Sequence, residues 1–275
     1  MKPVVREIVA KTVLNRSKLG DYSLNCYGGC THACVYCYAR FMERFHPHEE
    51  PWGAFVDVKV NAAEALVKQL RRAEPGGVFM SSACDAYQPI EKEYRLTRAC
   101  ARMLIEYGFE VHVLTKSALV LDDIPMYAES RLARIGVTLT SMDEATARIW
   151  EPHASSVAKR VNILKTAKEA GLATSVMFGP LLPGISDSDE AIDALMKTAA
   201  DLEVDVIWTD TLNPRPKVWP SVRQLVAERY PSLLGSYSAI LFSAGKREAY
   251  VEGLRGRIEA AAKRYRLGKR LAGCP

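Results

Sequence analysis

The 275-residue sequence has no apolar run approaching the length needed to cross a bilayer. Its opening stretch, MKPVVREIVAKTVLNRSKLG, lacks the continuous apolar block of a signal peptide. Membrane residence and secretion are therefore not expected, and a cytoplasmic, reducing compartment is. The cysteine count is odd, at seven, which in such a compartment argues against a disulfide framework. No internal repeat and no low-complexity segment interrupts the chain, so one main domain is the simplest organisation. With 48% hydrophobic residues, a chain of this length can bury a large core and falls within the size range of a single α/β barrel. The N-terminal apolar cluster VVREIVAKTVL is compatible with either a strand or a short helix.

From residue 55 onward, apolar segments of strand length alternate with helical patterns. Phe55–Val60 alternates as a strand, and Ala62–Arg72 has helix spacing. Further strands are expected at Val78–Ala83, Phe109–Thr115, Ile135–Thr140, Leu172–Leu182 and Val204–Leu212, with helices at Arg95–Tyr107, Met126–Arg131, Ser156–Ala170 and Ser188–Leu202. Short apolar strands bounded by turn residues, each followed by a helix, predict a parallel sheet covered on both faces. Ser186 or Asp187 is available to cap the last of these helices.

Four of the seven cysteines, Cys26, Cys30, Cys34 and Cys37, fall within NCYGGCTHACVYCYAR. Tyr22–Leu24 reads as a strand feeding this loop, and Val35–Phe45 as a helix leaving it. Cys30, Cys34 and Cys37 have the spacing C-x3-C-x2-C, which lets a short loop deliver three thiolates to three corners of a cuboidal iron–sulfur cluster. Clusters that only carry electrons are usually held by four cysteines, so three suggest an iron reserved for a small molecule. Structural zinc is the alternative, although its sites usually come as two C-x2-C pairs across a longer loop and only one such pair is present here.

The wider stretch, DYSLNCYGGCTHACVYCYARFM, resembles the signature of the radical S-adenosylmethionine (SAM) enzymes, in particular their spore photoproduct lyase-like branch, including an aromatic, Tyr36, before the last cysteine. Cys26 stands where that pattern has proline. Counting the strand before the cysteine loop, the strand–helix units number six, and the resemblance implies the same fold: a partial, six-stranded (β/α)6 barrel of TIM type. A basic helical extension over residues 246–275 would follow a barrel domain spanning 1–245. The implied cofactors are a 4Fe–4S cluster on Cys30, Cys34 and Cys37, and SAM. The implied chemistry is one-electron cleavage of SAM to a 5′-deoxyadenosyl radical that abstracts hydrogen from substrate, fed by an external reductant of the flavodoxin or ferredoxin type.

In a parallel barrel, reacting groups gather at the C-terminal ends of the strands. Ser81, Ser82 and Asp85 lie in SSACDAYQPIE, which resembles the family stretch that receives the methionine end of SAM, with Asp85 and the serines placed to accept from its ammonium group. Lys116, directly after an apolar strand, is placed to neutralise the SAM carboxylate. Thr138 and Thr140 share one face of their strand, and Thr140, nearer its end, is placed to hydrogen-bond the cofactor. Glu151-Pro152-His153 with Arg160 resembles a family element that orders the loop over the cofactor, and a purely structural ion pair explains it equally well. Tyr36 is expected near adenine. Cys84 lies in the segment where spore photoproduct lyases carry a hydrogen-donating cysteine. Pro180–Gly184, Asp210, Asn213 and Arg215 close the mouth toward substrate.

Other residues carry blander readings. His46 and His48 are potential metal ligands but read as solvated loop residues. Cys100 reads as an inert buried thiol and Cys274 as disordered, and there is no further group of cysteines for an auxiliary cluster. Net charge is +5, and residues 246–270 hold nine Lys or Arg against three Glu. This run offers a nucleic-acid contact, or simply a solvated helix face. The expected protein is a monomeric radical SAM enzyme acting on a nucleic-acid photoproduct. A peptide or metabolite substrate, or a non-catalytic iron–sulfur or zinc scaffold, is the alternative.

Overall fold

The computed structural model describes residues 2–45, 47–213, 215 and 217–275. The N-terminal segment resolves into two strands, β1 (Val4–Ile8) and β2 (Leu14–Arg16), followed by β3 (Tyr22–Leu24) and the short β4 (Tyr27–Gly28). A single-turn-pitch 3-10 helix, Tyr38–Arg44, takes the place of the longer helix expected over 35–45. Then come β5 (Phe55–Lys59) and α1 (Ala62–Leu70). β1, β5 and β4 form a small sheet of their own, with β1 parallel and β4 antiparallel to β5.

The strand–helix rhythm continues as β6 (Gly77–Met80), α2 (Glu91–Tyr94), α3 (Leu96–Glu106), β7 (Glu110–Thr115), α4 (Ile124–Ala128), β8 (Ala133–Thr138), α5 (Glu144–Trp150), α6 (Val157–Glu169), β9 (Ala173–Leu181), α7 (Asp189–Asp201) and β10 (Val206–Thr211). The chain closes with α8 (Trp219–Arg229), α9 (Leu234–Phe242), α10 (Ala244–Arg264) and β11 (Leu271–Gly273). The large sheet has the order β11-β10-β9-β8-β7-β6-β3-β2. From β3 to β11 every pairing is parallel, and β2 is antiparallel at the edge. The six units read from the sequence are β3, β6, β7, β8, β9 and β10, arranged in chain order as a partial barrel.

The helices cover the sheet through single apolar stripes. On α3 the buried residues are Thr97, Cys100, Ala101 and Leu104, and on α7 they are Ile192, Leu195, Met196 and Ala199. Both sets follow i, i+3, i+4, i+7, the spacing that puts side chains on one helical face. Ser188, not Ser186 or Asp187, caps α7 by accepting from Ala191 N. Ser186 Oγ accepts from Leu182 N, and Asp187 holds the Gly184 N–H and the Tyr250 hydroxyl, so both are committed to the turn before the helix. α4 ends sooner than the pattern over 126–131 suggests. Cys274 is half-buried directly after β11 rather than in a loose tail. Among the described residues, no helix is long and apolar enough to cross a membrane.

Candidate active site at the barrel mouth

Because the six barrel strands are parallel, their C-terminal ends lie on one rim, and the cysteine loop leaves β3 at that rim. The loop is pressed against the small sheet at two glycines. Gly29, at φ +75°, leaves no room for a side chain, since a Cβ there would sit 2.7 Å from Phe55 O. Gly53, at φ +99°, faces Ala33 so closely that a Cβ would fall 2.5 Å from the alanine methyl. Only glycine tolerates both the positive φ and the contact. Turns closed by Ala33 N to Cys30 O (3.3 Å) and Cys37 N to Cys34 O (3.2 Å) space the three thiols along the loop.

Cys30 and Cys34 are buried, and Cys37 is half-buried. Cys30 and Cys37 pack with Ala39, Trp52 and Phe55, and Cys34 with Tyr36 and Trp150. Burial pushes all three thiols up, Cys34 to about 12, as expected for soft ligands that ionise only when a metal replaces the proton. Among the described residues, no three His, Cys, Asp or Glu side chains form a site for a single metal ion. Two buried donors point to a further occupant. Arg40 Nε has no hydrogen-bond partner, although Nη2 lies 3.5 Å from Cys34 O. Ser81 Oγ, held at φ +64° at the end of β6, is also buried, with only the weakly hydrogen-bonding Cys84 thiol beside it. A cluster with negatively charged ligands and a polar cofactor beside it fit both.

The structure embeds Asp85 in a set of hydrogen bonds. Its carboxylate accepts from Thr115 Oγ1 (2.6 Å), Tyr87 N (2.9 Å) and Lys116 N (2.8 Å), and His32 Nδ1 lies 3.3 Å away. Burial opposes its charge, but His32 and the hydrogen bonds overcome that and hold the carboxyl well below the usual range. Asp85 thereby fixes the ends of β6 and β7 and His32 of the cysteine loop. Ser82 is likewise engaged, accepting from Asn25 Nδ2 (3.2 Å). Cys84 is half-buried, shares the apolar cluster of Cys30 and Cys37, and donates to Tyr27 O at 3.5 Å. Burial pushes its thiol up to about 12.

On the opposite wall, Tyr36, Thr140 and Glu151 form one buried network. The Tyr36 hydroxyl donates to Glu151 Oε1 and lies 3.0 Å from Thr140 Oγ1, which is itself 3.1 Å from Glu151 and 3.2 Å from Gly179 O. Arg160 Nη2 meets Glu151 Oε2 at 2.5 Å, and Arg160 also donates to Thr138 O and Ser155 O. Burial raises the cost of the Glu151 charge, yet Arg160 and Lys116 hold its pKa below the ordinary value. Thr140 lies two residues past β8, and its hydroxyl is committed to this network. Lys116 Nζ sits 5.7 Å from the Tyr36 ring centroid, a cation–π approach, with Cys34, Glu151 and Asp85 as its electrostatic neighbours. Val35 N to Trp150 O and His153 N to His32 O tie the cysteine loop to the Glu151 segment.

His48 overturns its expectation. Its side chain is fully buried, stacked on Phe55 at 3.8 Å, with Nε2 3.0 Å from Asp57 and Nδ1 3.4 Å from Glu50. His46 lies outside the described residues. Cys26 points away from the loop to Cys100, with sulfurs 3.8 Å apart in the core. Asp210 is exposed, and Arg215 lies over the Tyr38 ring at 5.7 Å. Sequence reasoning passed over Asn25, Lys59 and Gln88. Asn25 Oδ1 accepts from Ala83 N, its carbonyl accepts from Lys59 Nζ, and Gln88 bridges to the cysteine loop. Asn25 and Gln88 stand inside the quoted motifs, so their positions were visible although their partners were not.

Three thiols of one loop, a cation, a buried hydroxyl and a fourth thiol stand around the mouth of a parallel partial barrel, a donor set suited to a polar cofactor beside an iron–sulfur cluster. Comparison with known proteins agrees. A family model for the radical SAM superfamily matches residues 24–196. An uncharacterised protein of Methanocaldococcus jannaschii is 36% identical over 68% of this chain and 71% of its own length. A radical SAM Nα-GlyT isomerase of Pseudomonas phage M6 is 25% identical over 63% of this chain and 36% of its own. A spore photoproduct lyase solved with dinucleoside spore photoproduct superposes with a TM-score of 0.68 at 16% identity, covering 97% of this chain and 81% of that one, a likeness of fold. The chain belongs to the radical SAM superfamily. Its cofactors are accordingly a 4Fe–4S cluster and SAM, and it requires an external one-electron reductant.

Proposed function

We propose that this protein is a radical SAM enzyme of the lyase or isomerase kind, acting on a modified or damaged base within a nucleic acid. Cys30, Cys34 and Cys37 would hold the cluster, and Ser81 and Lys116 would take the polar groups of SAM. When bound, cluster and cofactor together supply a 5′-deoxyadenosyl radical competent to remove a hydrogen atom from carbon. The chain's own part is to orient and to exclude water. Tyr36, Thr140 and Glu151 form a rigid wall, Asp85 locks two strand ends, and the apolar packing of Trp52, Phe55 and Trp150 keeps solvent from the thiols. The observation that carries the reading is the convergence on one rim of two buried cysteines, the half-buried Cys37, the buried Ser81 hydroxyl and Lys116. The base substrate draws support from what the phage isomerase and the spore photoproduct lyase are named for.

Cys84 is the proposed hydrogen donor that quenches the product radical. Its S–H bond breaks, a C–H bond forms, and the external donor's electron with a solvent proton restores the thiol. The primary test is anaerobic reconstitution, reduction and addition of SAM: 5′-deoxyadenosine should form, and its absence from a fully loaded cluster would overturn the reading. Oligonucleotides with and without photoproducts, against peptides, then test the substrate. Cys84→Ala should leave 5′-deoxyadenosine formation intact and alter the product distribution, and unchanged products would remove its role.

A further inference from the structure

Gln88 is fully buried, at 0% exposure, in the loop that also carries Ser81, Cys84 and Asp85. Its side-chain oxygen accepts from Thr31 N at 3.0 Å, and its side-chain nitrogen donates to Gly29 O at 3.1 Å. Gly29 and Thr31 are the two neighbours of Cys30. One primary amide thus closes a two-bond ring around a single cysteine, pairing with the backbone as a facing strand residue would. Gln88 is itself fixed at both ends: its N–H donates to Asp85 O at 3.4 Å, and its carbonyl accepts from Glu91 N at 2.9 Å. Among the three cysteines, Cys30 is thereby the one whose flanking peptides are both held by a side chain of the facing loop.

We infer that Gln88 is a positioning residue for Cys30, holding that thiolate in register with the loop that receives SAM. The inference rests on family membership and adds to it the residue that sets one ligand's place. Gly29 carries no Cβ and sits at positive φ, so without a partner its peptide has wide freedom; the amide removes that freedom. Loss of the amide leaves the Thr31 N–H and the Gly29 carbonyl buried without partners, and they regain partners only by moving, which carries Cys30 with them.

The molecule contains its own control. Gln69 of α1 makes the same kind of clamp on β2, accepting from Val13 N (2.8 Å) and Leu14 N (3.0 Å) and donating to Leu14 O (2.6 Å). Gln88→Met and Gln69→Met remove equivalent hydrogen bonds at similar volume. Each reconstituted variant is treated with a thiol alkylator under anaerobic conditions, modification of Cys30, Cys34 and Cys37 is mapped by mass spectrometry, and the electron paramagnetic resonance spectrum is recorded. Gln88→Met should raise Cys30 alkylation relative to wild type by roughly tenfold, the weight of about 1.4 kcal/mol, and should weaken the cluster's paramagnetic signal and lower the iron retained per chain. Cys34 and Cys37 should change less, and Gln69→Met should match wild type while losing comparable thermal stability. Equal effects of the two variants, or equal exposure of all three cysteines in Gln88→Met, would overturn the inference while leaving the family chemistry in place. A wild-type protein that takes up no cluster would instead defeat the wider reading.

Discussion

The buried pair of Glu151 and Arg160 shows how a single ion pair supports a site without touching substrate. Arg160 is 1% exposed and Glu151 likewise, and the carboxylate also receives Tyr36 and Thr140. Breaking one partner of a buried pair usually costs about 3–5 kcal/mol, because the other charge is stranded. Arg160→Leu should therefore lower unfolding free energy by about that amount in urea titrations at neutral pH. The double variant Glu151→Leu with Arg160→Leu should recover part of the loss, and a single variant as stable as wild type would show the pair to be idle. The sequence displayed both residues but left their purpose open between ordering a loop and simple structure. The geometry joins the two, since Arg160 also binds Thr138 O and Ser155 O at the same rim. Asp85 was legible as a mouth residue but its four partners were not, because they come from three different segments that only folding brings together. His48 was misjudged for the same reason: a histidine among prolines looks solvated until Phe55 and Asp57 are placed against it.

At the level of elements, α5 exists because of its cap. It is short, Glu144–Trp150, and its N-terminus is held by Asp143, whose side chain accepts from Thr146 N at 2.8 Å. The hydrogen bonds to Thr146 depress the Asp143 pKa below its ordinary value. A depressed carboxyl contributes stability that is complete above its unfolded value near pH 4 and disappears as pH falls through the lower folded value. Asp143→Ala should cost about 1 kcal/mol at pH 6, and the gap to wild type should close as acid unfolding curves approach pH 2, whereas Asp143→Asn should show a smaller gap with little pH dependence. A pH-independent gap for the alanine variant would assign the effect to something other than the charged cap. α5 went unread in the sequence because seven residues give too little periodicity to detect, while α3, α6 and α7, each with more than two turns of stripe, were read nearly to their ends. The same limit explains the 3-10 helix at Tyr38–Arg44, whose aromatic density suggested a longer α-helix.

Across the whole molecule, the six-stranded parallel order was legible because the barrel strands are apolar and every connection between them carries a helix; the β1-β5-β4 sheet was not, because pairing between residues fifty apart leaves no local trace. The C-terminal segment is where sequence charge and structure part company. Arg247 donates to Leu212 O, Arg255 to Pro275 O, Arg257 to Asp187 O, Arg264 to Asp193 and Arg270 to Val204 O. Four of these arginines fasten α10 and the start of the last strand to the barrel and Arg255 ties α10 to the last residue, so five side chains of the positive run are held against the fold. Lys246, Lys263, Arg266 and Lys269 remain as the run's outward contribution to nucleic-acid affinity. If the tail supplies the contact, the slope of log affinity against log salt for a short duplex should lie near −3 to −4, at about 0.9 per neutralised phosphate. Replacing those four residues by glutamine should flatten the slope toward zero without changing the melting temperature. Arg257→Gln and Arg264→Gln should behave in the opposite way, lowering the melting temperature while leaving the salt slope within error of wild type. A steep slope that survives the fourfold replacement would move the contact to the barrel mouth, where Arg44, Arg215 and Lys217 stand beside the cysteine loop's 3-10 helix.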